Sequence, residues 1–291
     1  MIRLIAIDID GTLLDSHGQL PDVHRDAVVD AVDRGLEIAL VTGRSFHFAR
    51  PVADLLPVPL TLIVNNGAVV KEKAGATVMR HVLSRAAARA ILEATPEHDE
   101  NVAIVFDREA VDDPRQIVYQ RMDWSRPNRK GYFERNRAFI AAADGALADE
   151  LSDDPIQVMF NGSVAPMREL VEALRSLAIA DQFSVALTEY EHRDFSLVDV
   201  NGAGCSKGST LARWVASRGW SRDEVAAVGD NLNDVEMLDY AGLAFVMGNA
   251  SDALKARRYR LTASNDEGGL ADAIRSCLAL SASAKSHGSR N

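Results

Sequence analysis

The sequence predicts an α/β fold with a doubly wound, parallel-sheet core and an inserted α+β domain. Short apolar stretches alternate with helical patterns near both ends of the chain, which is typical of parallel strands joined by crossover helices. The middle of the chain has predicted strands and helices without this alternation. The length of 291 residues also exceeds the usual size of one compact core, which favours two domains.

The N-terminal third is predicted to begin with a buried strand, because residues 2–7 are mostly branched and apolar. Pro21 and Gly35 lie where a helix would start and stop, and apolar residues recur between them at helical spacing. The further elements predicted here are a strand at 36–41, a helix through Phe48 to Pro57 and a strand at 60–64.

In the middle segment, 123–137 is predicted to be a loop, because it is rich in Arg, Asn, Pro and Gly and has little apolar periodicity. The elements expected around it are helices at 84–93 and 166–177, and strands at 102–106, 116–119, 156–160, 183–188 and 195–200. The regular alternation returns with a helix at 208–217, a strand at 225–229, a helix ending at Tyr240, a strand at 244–247 and a helix at 267–280. We therefore expect a core of 1–82 and 199–280, an inserted domain of 83–198 and a disordered tail of 281–291.

The composition argues against several classes of protein. The net charge is −10, from 32 basic and 42 acidic residues, whereas nucleic acids and anionic membranes attract basic patches. Neither a membrane-spanning apolar run nor a signal peptide is evident, so we expect a cytoplasmic protein. The two cysteines, Cys205 and Cys277, are predicted to be unrelated thiols. The sequence predicts no oligomeric state.

Asp8 and Asp10 directly follow the first predicted strand. Because side chains alternate along a strand, both carboxylates point to the same side. Two neighbouring carboxylates repel each other unless a cation or a shared proton intervenes, and Gly11 lets the chain turn close to a ligand. Taken alone, the pair is also compatible with two solvated acids, one a helix N-cap and one in a turn.

Three other predicted strands also end in polar, turn-forming residues, at 42–43, 65–67 and 230–234. Ligands bind outside the carboxyl ends of strands in open α/β sheets, so four such ends predict a site. Asp8, Asp10 and Asp230 would form an all-oxygen cluster, which suits Mg²⁺ better than zinc. Thr42 and Gly43 precede a helix and could hold an anion. Lys207, also just before a helix, is either a surface residue or a group that approaches the ligand.

These motifs resemble, in order and spacing, those of the haloacid-dehalogenase-like phosphohydrolases, and within them the Cof-type sugar-phosphate phosphatases with a class IIB cap. The matching stretches cover nearly the whole chain: 8–14 (DIDGTLL), 41–44 (VTGR), 206–208 (SKG) and 229–237 (GDNLNDVEM), together with 65–68, 247–250 and 262–269. The resemblance implies a Rossmann-like core with a large α/β cap domain between Asn66 and Lys207.

The resemblance also implies roles for individual residues. Asp8 would be the nucleophile that forms an aspartyl-phosphate, and Asp10 the general acid and then the base. The implied ligands of Mg²⁺ are the Asp8 carboxylate, the Asp10 backbone carbonyl, Asp230 and Asn231. The implied phosphate-binding groups are the Ile9 backbone, Thr42, Gly43, Lys207 and Asn233, with Asp234 orienting Lys207 or a metal-bound water. The substrate would be a small phosphorylated metabolite, such as a sugar phosphate.

Two alternatives to a phosphatase remain open at this level. Relatives with the same cap class include phosphomutases, which return the phosphoryl group to the sugar, and the four motifs do not separate these from phosphatases. Conversion of a hexose-1-phosphate into its 6-isomer would identify a mutase. A non-catalytic phosphometabolite-binding regulator would need neither Asp8 nor Asp10, and zero phosphate release across a broad substrate panel would favour it.

The residues that select the substrate would lie in loops of the inserted domain. The candidates are Arg121, Trp124, Asn161, Glu189, His192 and Arg193. Ordinary explanations compete with each role, such as an ion pair for Arg121, packing for Trp124 and a turn at Asn161. None of the six is therefore assigned to the site.

Overall fold

The computed structural model describes residues 1–108, 110 and 113–288, without the side chains of Asn128, His192 and 282–288. The chain forms two compact units. Unit 1 comprises Met1–Val78 and the chain from Lys207 onward, and unit 2 comprises Met79–Ser206. Unit 2 is thus inserted between two segments of unit 1. Its ends lie a few residues from those expected, at Met79 rather than 83 and at Ser206 rather than 198.

The helices and strands are numbered along the chain. The first segment contains β1 (Leu4–Ile7), α1 (Asp22–Asp33), β2 (Glu37–Val41), α2 (Phe46–Asp54), β3 (Thr61–Val64), β4 (Val69–Glu72) and β5 (Thr77–Arg80). The middle segment contains α3 (Arg85–Ala94), β6 (Val102–Val105), β7 (Ile117–Tyr119), α4 (Pro127–Asn136), β8 (Ile140–Ala142), β9 (Gln157–Gly162), α5 (Val164–Arg175), β10 (Phe183–Tyr190) and β11 (Phe195–Gly202). The last segment contains α6 (Lys207–Ser217), β12 (Val225–Gly229), α7 (Val235–Tyr240), β13 (Leu243–Val246), α8 (Asp252–Lys255), β14 (Arg260–Leu261) and α9 (Gly269–Gly288).

The core sheet has the strand order β14-β13-β12-β1-β2-β3-β4-β5. The strands from β14 to β3 are parallel, and β4 is antiparallel to β3. The central strands β1 and β12 are buried along their whole length, as expected of a sheet covered on both faces. The predicted α/β class, with a parallel core sheet and a second domain, is confirmed. The β4–β5 pair was not predicted, and the boundary between the units falls within β5.

The register of β1 determines where the candidate site can form. Ile7, the last residue of β1, pairs with Val228 of β12 on one side and with Leu40 of β2 on the other. Because these three strands are parallel, their carboxyl ends meet at one edge of the sheet. The residues that follow them are therefore brought together.

Unit 2 is built on a second sheet, with the strand order β10-β11-β9-β6-β7-β8. Its pairs are antiparallel except for β7 with β8. A buried apolar cluster that includes Ile91 of α3, Phe160 of β9 and Leu170 of α5 forms its core. The unit thus has a hydrophobic core of its own.

The structure overturns the loop predicted at 123–137, where α4 forms instead. Tertiary contacts stabilise this helix in place of an apolar stripe. The buried guanidinium of Arg129 donates to Asn101 Oδ1 at 2.6 Å and to Asn161 O at 2.9 Å, and Trp124 stacks on Tyr132 and Phe133. Such contacts have no signature in local periodicity.

The C-terminal segment also differs from the disordered tail expected at 281–291. Helix α9 continues to Gly288, while 289–291 lie outside the described residues. Alanine is frequent in this stretch and favours helix, and α9 packs against α1. Within the described part of the chain, helices that are long and apolar enough to cross a membrane are absent. Cys205 and Cys277 are both buried and neither is joined in a disulfide, as predicted for two unrelated thiols.

Candidate active site

The chain leaves β1 through a wide turn, in which the Leu14 N–H donates to Ile9 O at 3.0 Å. Within this turn Gly11 has a φ of +79°, a left-handed conformation that other residues rarely adopt. A Cβ at Gly11 would lie 2.2 Å from Asp230 Oδ2. Glycine at this position therefore allows the turn after β1 to approach the Asp230 carboxylate.

Three carboxylates and one lysine form the centre of the site. Asp8, Asp230 and Asp234 each offer an oxygen, and these three oxygens lie within 4.8 Å of one another. The buried Lys207 Nζ donates to Asp8 Oδ1 and to Asp234 Oδ1, each at 2.6 Å. These four residues come from the ends of β1 and β12 and the start of α6. One ammonium group thus faces three carboxylates.

The pKa values of these groups reflect their burial and that imbalance of charge. Burial raises the pKa of Asp8 to about 7, and the Asp234 carboxylate acts in the same direction while Lys207 opposes it. Burial and the Asp8 carboxylate raise the pKa of Asp230 well above its ordinary value. Burial alone would lower the pKa of Lys207, but Asp234 and Asp8 outweigh it and raise the pKa. The ionised forms of Asp8 and Asp230 are thus disfavoured, because Lys207 offsets only part of the effect of burial and of the neighbouring carboxylates.

Of the three carboxylates in the cluster, Asp234 accepts the most hydrogen bonds from other groups of the site. Its Oδ1 accepts from Lys207, and its Oδ2 accepts from the backbone N–H groups of Asp230 and Asn231, each at 3.0 Å. These contacts fix the loop after β12 and orient the Lys207 ammonium. Asp234 therefore has a structural role in the site.

Asp8 and Asp230 fit a divalent cation better than Asp234 does. Lys207 engages Oδ1 of Asp8, and the Thr12 hydroxyl donates to Asp230 Oδ1 at 3.2 Å. Each carboxylate oxygen has two lone pairs, so both groups retain acceptor capacity. An all-oxygen donor set with excess negative charge is the chemistry that Mg²⁺ prefers. The predicted ligand Asn231 differs, because its side-chain oxygen accepts both from the Leu232 N–H, at 2.7 Å, and from the Asp234 N–H, and so caps the turn at 232–234.

The predicted phosphate-binding residues Thr42 and Gly43 follow β2 at the same edge of the sheet. The Thr42 N–H donates to Ile63 O at 2.8 Å, which extends the ladder between β2 and β3. Asn66, in a left-handed conformation after β3, donates through its N–H to Thr42 O at 3.1 Å. Its side-chain Oδ1 accepts from Asn233 Nδ2 at 3.2 Å. Asn66 thus connects the loop after β2 with the loop after β12.

Two contacts of the site involve residues to which the sequence assigned no role. Arg44 donates to both carboxylate oxygens of Asp10, at 2.8 and 2.6 Å. Asn249, which follows β13, donates through Nδ2 to Gly11 O at 2.9 Å and lies 3.4 Å from Asp230 Oδ2. Their positions in the sequence were the available signal, because Arg44 directly follows Gly43 in the loop after β2 and Asn249 belongs to the motif at 247–250.

The candidate specificity residues of unit 2 have local partners. Arg121 pairs with Asp99 at 2.8 Å, which confirms the ion pair, and Trp124 is buried. Glu189 pairs with Arg168 at 2.7 Å, and the side-chain oxygen of Asn161 accepts from Arg129. The His192 side chain lies outside the described atoms. These contacts are structural ones within unit 2.

Several known proteins with similar sequences are named phosphatases. Pyridoxal phosphate phosphatase YbhA of Escherichia coli is 29% identical over 278 residues, which cover 95% of this chain and 98% of the relative. The 5-amino-6-(5-phospho-D-ribitylamino)uracil phosphatase YcsE of Bacillus subtilis is 28% identical over 278 residues, which cover 94% of this chain and 95% of the relative.

Solved structures share the fold. A haloacid dehalogenase-like hydrolase from Bacteroides thetaiotaomicron superposes with a TM-score of 0.77 at 22% identity, over 95% of this chain and 100% of the other. A structure described as a HAD subclass IIB sugar phosphatase gives a TM-score of 0.74 at 20% identity, over 94% and 98%. The family model for haloacid dehalogenase-like hydrolases matches residues 5–274. The chain therefore belongs to the haloacid dehalogenase-like hydrolase family.

Proposed function

We propose that this protein is a Mg²⁺-dependent phosphatase of small phosphomonoesters that works through an aspartyl-phosphate on Asp8. The observation that carries the proposal is the excess negative charge of the Asp8, Asp230 and Asp234 cluster, held at the strand ends by one buried lysine. Such a cluster suits a site that binds a cation and a phosphoryl group together. The named phosphatases among the relatives support the same class of reaction.

In the first half-reaction an Asp8 oxygen attacks phosphorus. The new O–P bond forms as the bond from phosphorus to the alcohol oxygen breaks, and Asp10 gives its proton to that oxygen. Lys207 lies within hydrogen-bond distance of Asp8 Oδ1, so it both orients the nucleophile and can meet the phosphoryl oxygens. Thr42, Gly43, Asn233 and the backbone of Ile9 would hold the remaining phosphoryl oxygens.

In the second half-reaction a water attacks the aspartyl-phosphate. A water oxygen bonds to phosphorus, the bond to Asp8 breaks and returns its electron pair to the carboxylate, and the water proton passes to Asp10. Asp10 is then ready to act again as an acid. After both half-reactions Asp8 is again a free carboxylate and Asp10 is again protonated, so neither residue is consumed in a turnover.

Mg²⁺ would be held by the Asp8 carboxylate, the Asp10 backbone carbonyl and Asp230. When bound, it supplies positive charge that neutralises the transferring group and orients it for in-line attack. The Asn231 side chain is left out of this set, because its oxygen caps the neighbouring turn.

The substrate class we propose is a small phosphorylated metabolite. The names of the two relatives include a cofactor phosphate and a ribityl phosphate, so a screen should contain pyridoxal phosphate, sugar phosphates, nucleotides, flavin mononucleotide and the phosphoribitylamino-uracil. Release of inorganic phosphate with Mg²⁺ present is the expected result. The compound with the highest kcat/KM identifies the substrate group.

The Asp8→Asn variant tests the mechanism. It removes the attacking oxygen and keeps the size of the side chain, so turnover of para-nitrophenyl phosphate should vanish while circular dichroism and thermal unfolding show a folded protein. Wild-type turnover by the variant would contradict the proposed nucleophile. Wild-type protein that releases no phosphate from any compound in the screen would contradict the phosphatase assignment.

A further inference from the structure

Arg44 and Asp10 form a two-point ion pair beside the acid cluster. Arg44 Nε donates to Asp10 Oδ2 at 2.8 Å, and Arg44 Nη2 donates to Asp10 Oδ1 at 2.6 Å. The exposed fraction is 14% for the Arg44 side chain and 41% for that of Asp10. A guanidinium that meets a carboxylate at both oxygens fixes its orientation as well as its distance.

Arg44 is itself held in place by its neighbours. Its guanidinium carbon lies 4.4 Å from the centre of the Phe48 ring, and Nη1 donates to Phe48 O at 3.3 Å. Its backbone N–H donates to Thr42 Oγ1 at 3.1 Å, and its carbonyl accepts from the Asn65 N–H at 2.9 Å. Asp10 therefore meets a donor pair whose position is set by β2, β3 and α2.

We infer that Arg44 is a positioning residue that orients the Asp10 carboxylate for hydrolysis of the aspartyl-phosphate, an inference that rests on the proposed function. A pair of donors fits a carboxylate whose two oxygens both accept. Asp10 has this form after it has given its proton to the leaving alcohol. In that form it has to take the proton of the attacking water while the water oxygen bonds to phosphorus and the bond to Asp8 breaks.

This role predicts that the two half-reactions depend differently on Arg44. Nitrophenolate leaves phosphorus without needing a proton, so the first half-reaction of para-nitrophenyl phosphate is insensitive to Asp10. The water step needs a well-placed base with any substrate. Loss of Arg44 should therefore make the phosphorylated enzyme accumulate with para-nitrophenyl phosphate. An alkyl phosphate needs Asp10 in both steps and should show a slower turnover without accumulation.

The test compares Arg44→Ala and Arg44→Lys with a control, Arg50→Ala. Arg50 lies on α2, six residues after Arg44, with a side chain that is 43% exposed and a long contact of 3.8 Å to Asp54. Stopped-flow absorbance measures a burst of nitrophenolate, and mass spectrometry of acid-quenched samples measures phosphorylated protein. For Arg44→Ala we expect steady-state turnover to fall on the order of 100-fold, because a misplaced catalytic group costs about that much, together with a burst. Arg50→Ala should behave like wild type.

Arg44→Lys keeps the charge but loses the two-point geometry, so it should also show the burst. Added guanidinium ion should raise the turnover of Arg44→Ala and reduce its phosphorylated fraction. Equal loss on both substrates without a burst, or wild-type partitioning in Arg44→Lys, would overturn the inference. If Arg44→Ala does not fold, Arg44→Lys carries the same test. Failure of the proposed function shows separately, as activity that survives Asp8→Asn.

Discussion

Lys207 Nζ donates to Asp8 Oδ1 at 2.6 Å, and both side chains are almost completely buried. The same ammonium contacts Asp234 Oδ1 at 2.6 Å. Burial of a charge is costly unless it is paired and hydrogen-bonded, and Lys207 provides that pairing for two of the three acids. The lysine therefore has a structural role that is separable from its proposed contact with phosphate.

Replacing Lys207 by Met should destabilise the protein strongly. Methionine keeps much of the side-chain volume but leaves Asp8 and Asp234 without their cation, and breaking a buried ion pair in this way costs roughly 3–5 kcal/mol. Urea unfolding of the metal-free protein measures the loss. Lys255→Met, at an exposed ion pair with an N···O distance of 3.7 Å, is the control and should cost less than about 1 kcal/mol. Equal losses of unfolding free energy in the two variants would show that the buried ion pairs stabilise the protein no more than the exposed one.

The raised pKa of Asp8, about 7, predicts how the stability of the metal-free protein depends on pH. A carboxyl whose pKa is higher in the folded than in the unfolded state contributes stability at low pH, and this contribution is lost as pH rises through the folded value. The pKa of Asp230 is raised as well. The midpoint temperature of thermal unfolding should therefore decrease as the pH is raised from about 5 to about 8.

Mg²⁺ should reverse this trend, because it binds the ionised carboxylates in competition with protons. The increase in the unfolding midpoint on adding Mg²⁺ should be larger at about pH 8 than at about pH 6. Asp8→Asn is the control, since it removes one of the titrating groups and should flatten the metal-free profile. A metal-free profile that rises over this range, or one that is the same in Asp8→Asn, would be inconsistent with the raised pKa.

The parts of the fold that follow from local pattern were predictable. The apolar runs of β1 and β12 and their spacing from helices predict a parallel sheet, and parallel strands bring Asp8 and Asp230 to one edge. The pair β4–β5 was not predicted, because its strands are short and β5 is largely exposed. Helix α4 was not predicted, because it is stabilised by hydrogen bonds of the buried, polar Arg129 to other parts of unit 2 and not by an apolar stripe.

Within the site, it was easier to predict which residues come together than which of their side chains form direct contacts. The acids and Lys207 stand in recognisable motifs, so their meeting could be expected from strand order. The ion pair of Arg44 with Asp10 and the contact of Asn249 with Gly11 depend on side-chain directions in turns. Periodicity does not encode those directions, so only three-dimensional structure reveals them.

Thr12 is expected to tune the affinity for Mg²⁺ through Asp230. Its buried hydroxyl donates to Asp230 Oδ1 at 3.2 Å, and loss of a group that orients a metal ligand typically weakens affinity by about tenfold or more. Thr12→Val has nearly the same shape without the hydroxyl and should raise the Kd for Mg²⁺ by roughly that factor. Thr12→Ser keeps the hydroxyl and should stay near wild type. Calorimetric titration with Mg²⁺ alone measures both, and identical Kd values would exclude this role.

Gly11 and Gly18 provide a matched pair that isolates the close approach to Asp230. Both have left-handed backbone, with φ of +79° and +74°, but a Cβ at Gly18 would meet nothing within 4 Å, whereas one at Gly11 would lie 2.2 Å from Asp230 Oδ2. Alanine at either position should cost roughly 1–2 kcal/mol of unfolding free energy from backbone strain. Gly11→Ala should lose more than Gly18→Ala in urea unfolding, because the Asp230 carboxylate has to move. Only Gly11→Ala should also weaken Mg²⁺ binding in calorimetric titration. Equal losses of unfolding free energy in the two variants, with unchanged Mg²⁺ affinity, would mean that the turn after β1 can shift without moving Asp230.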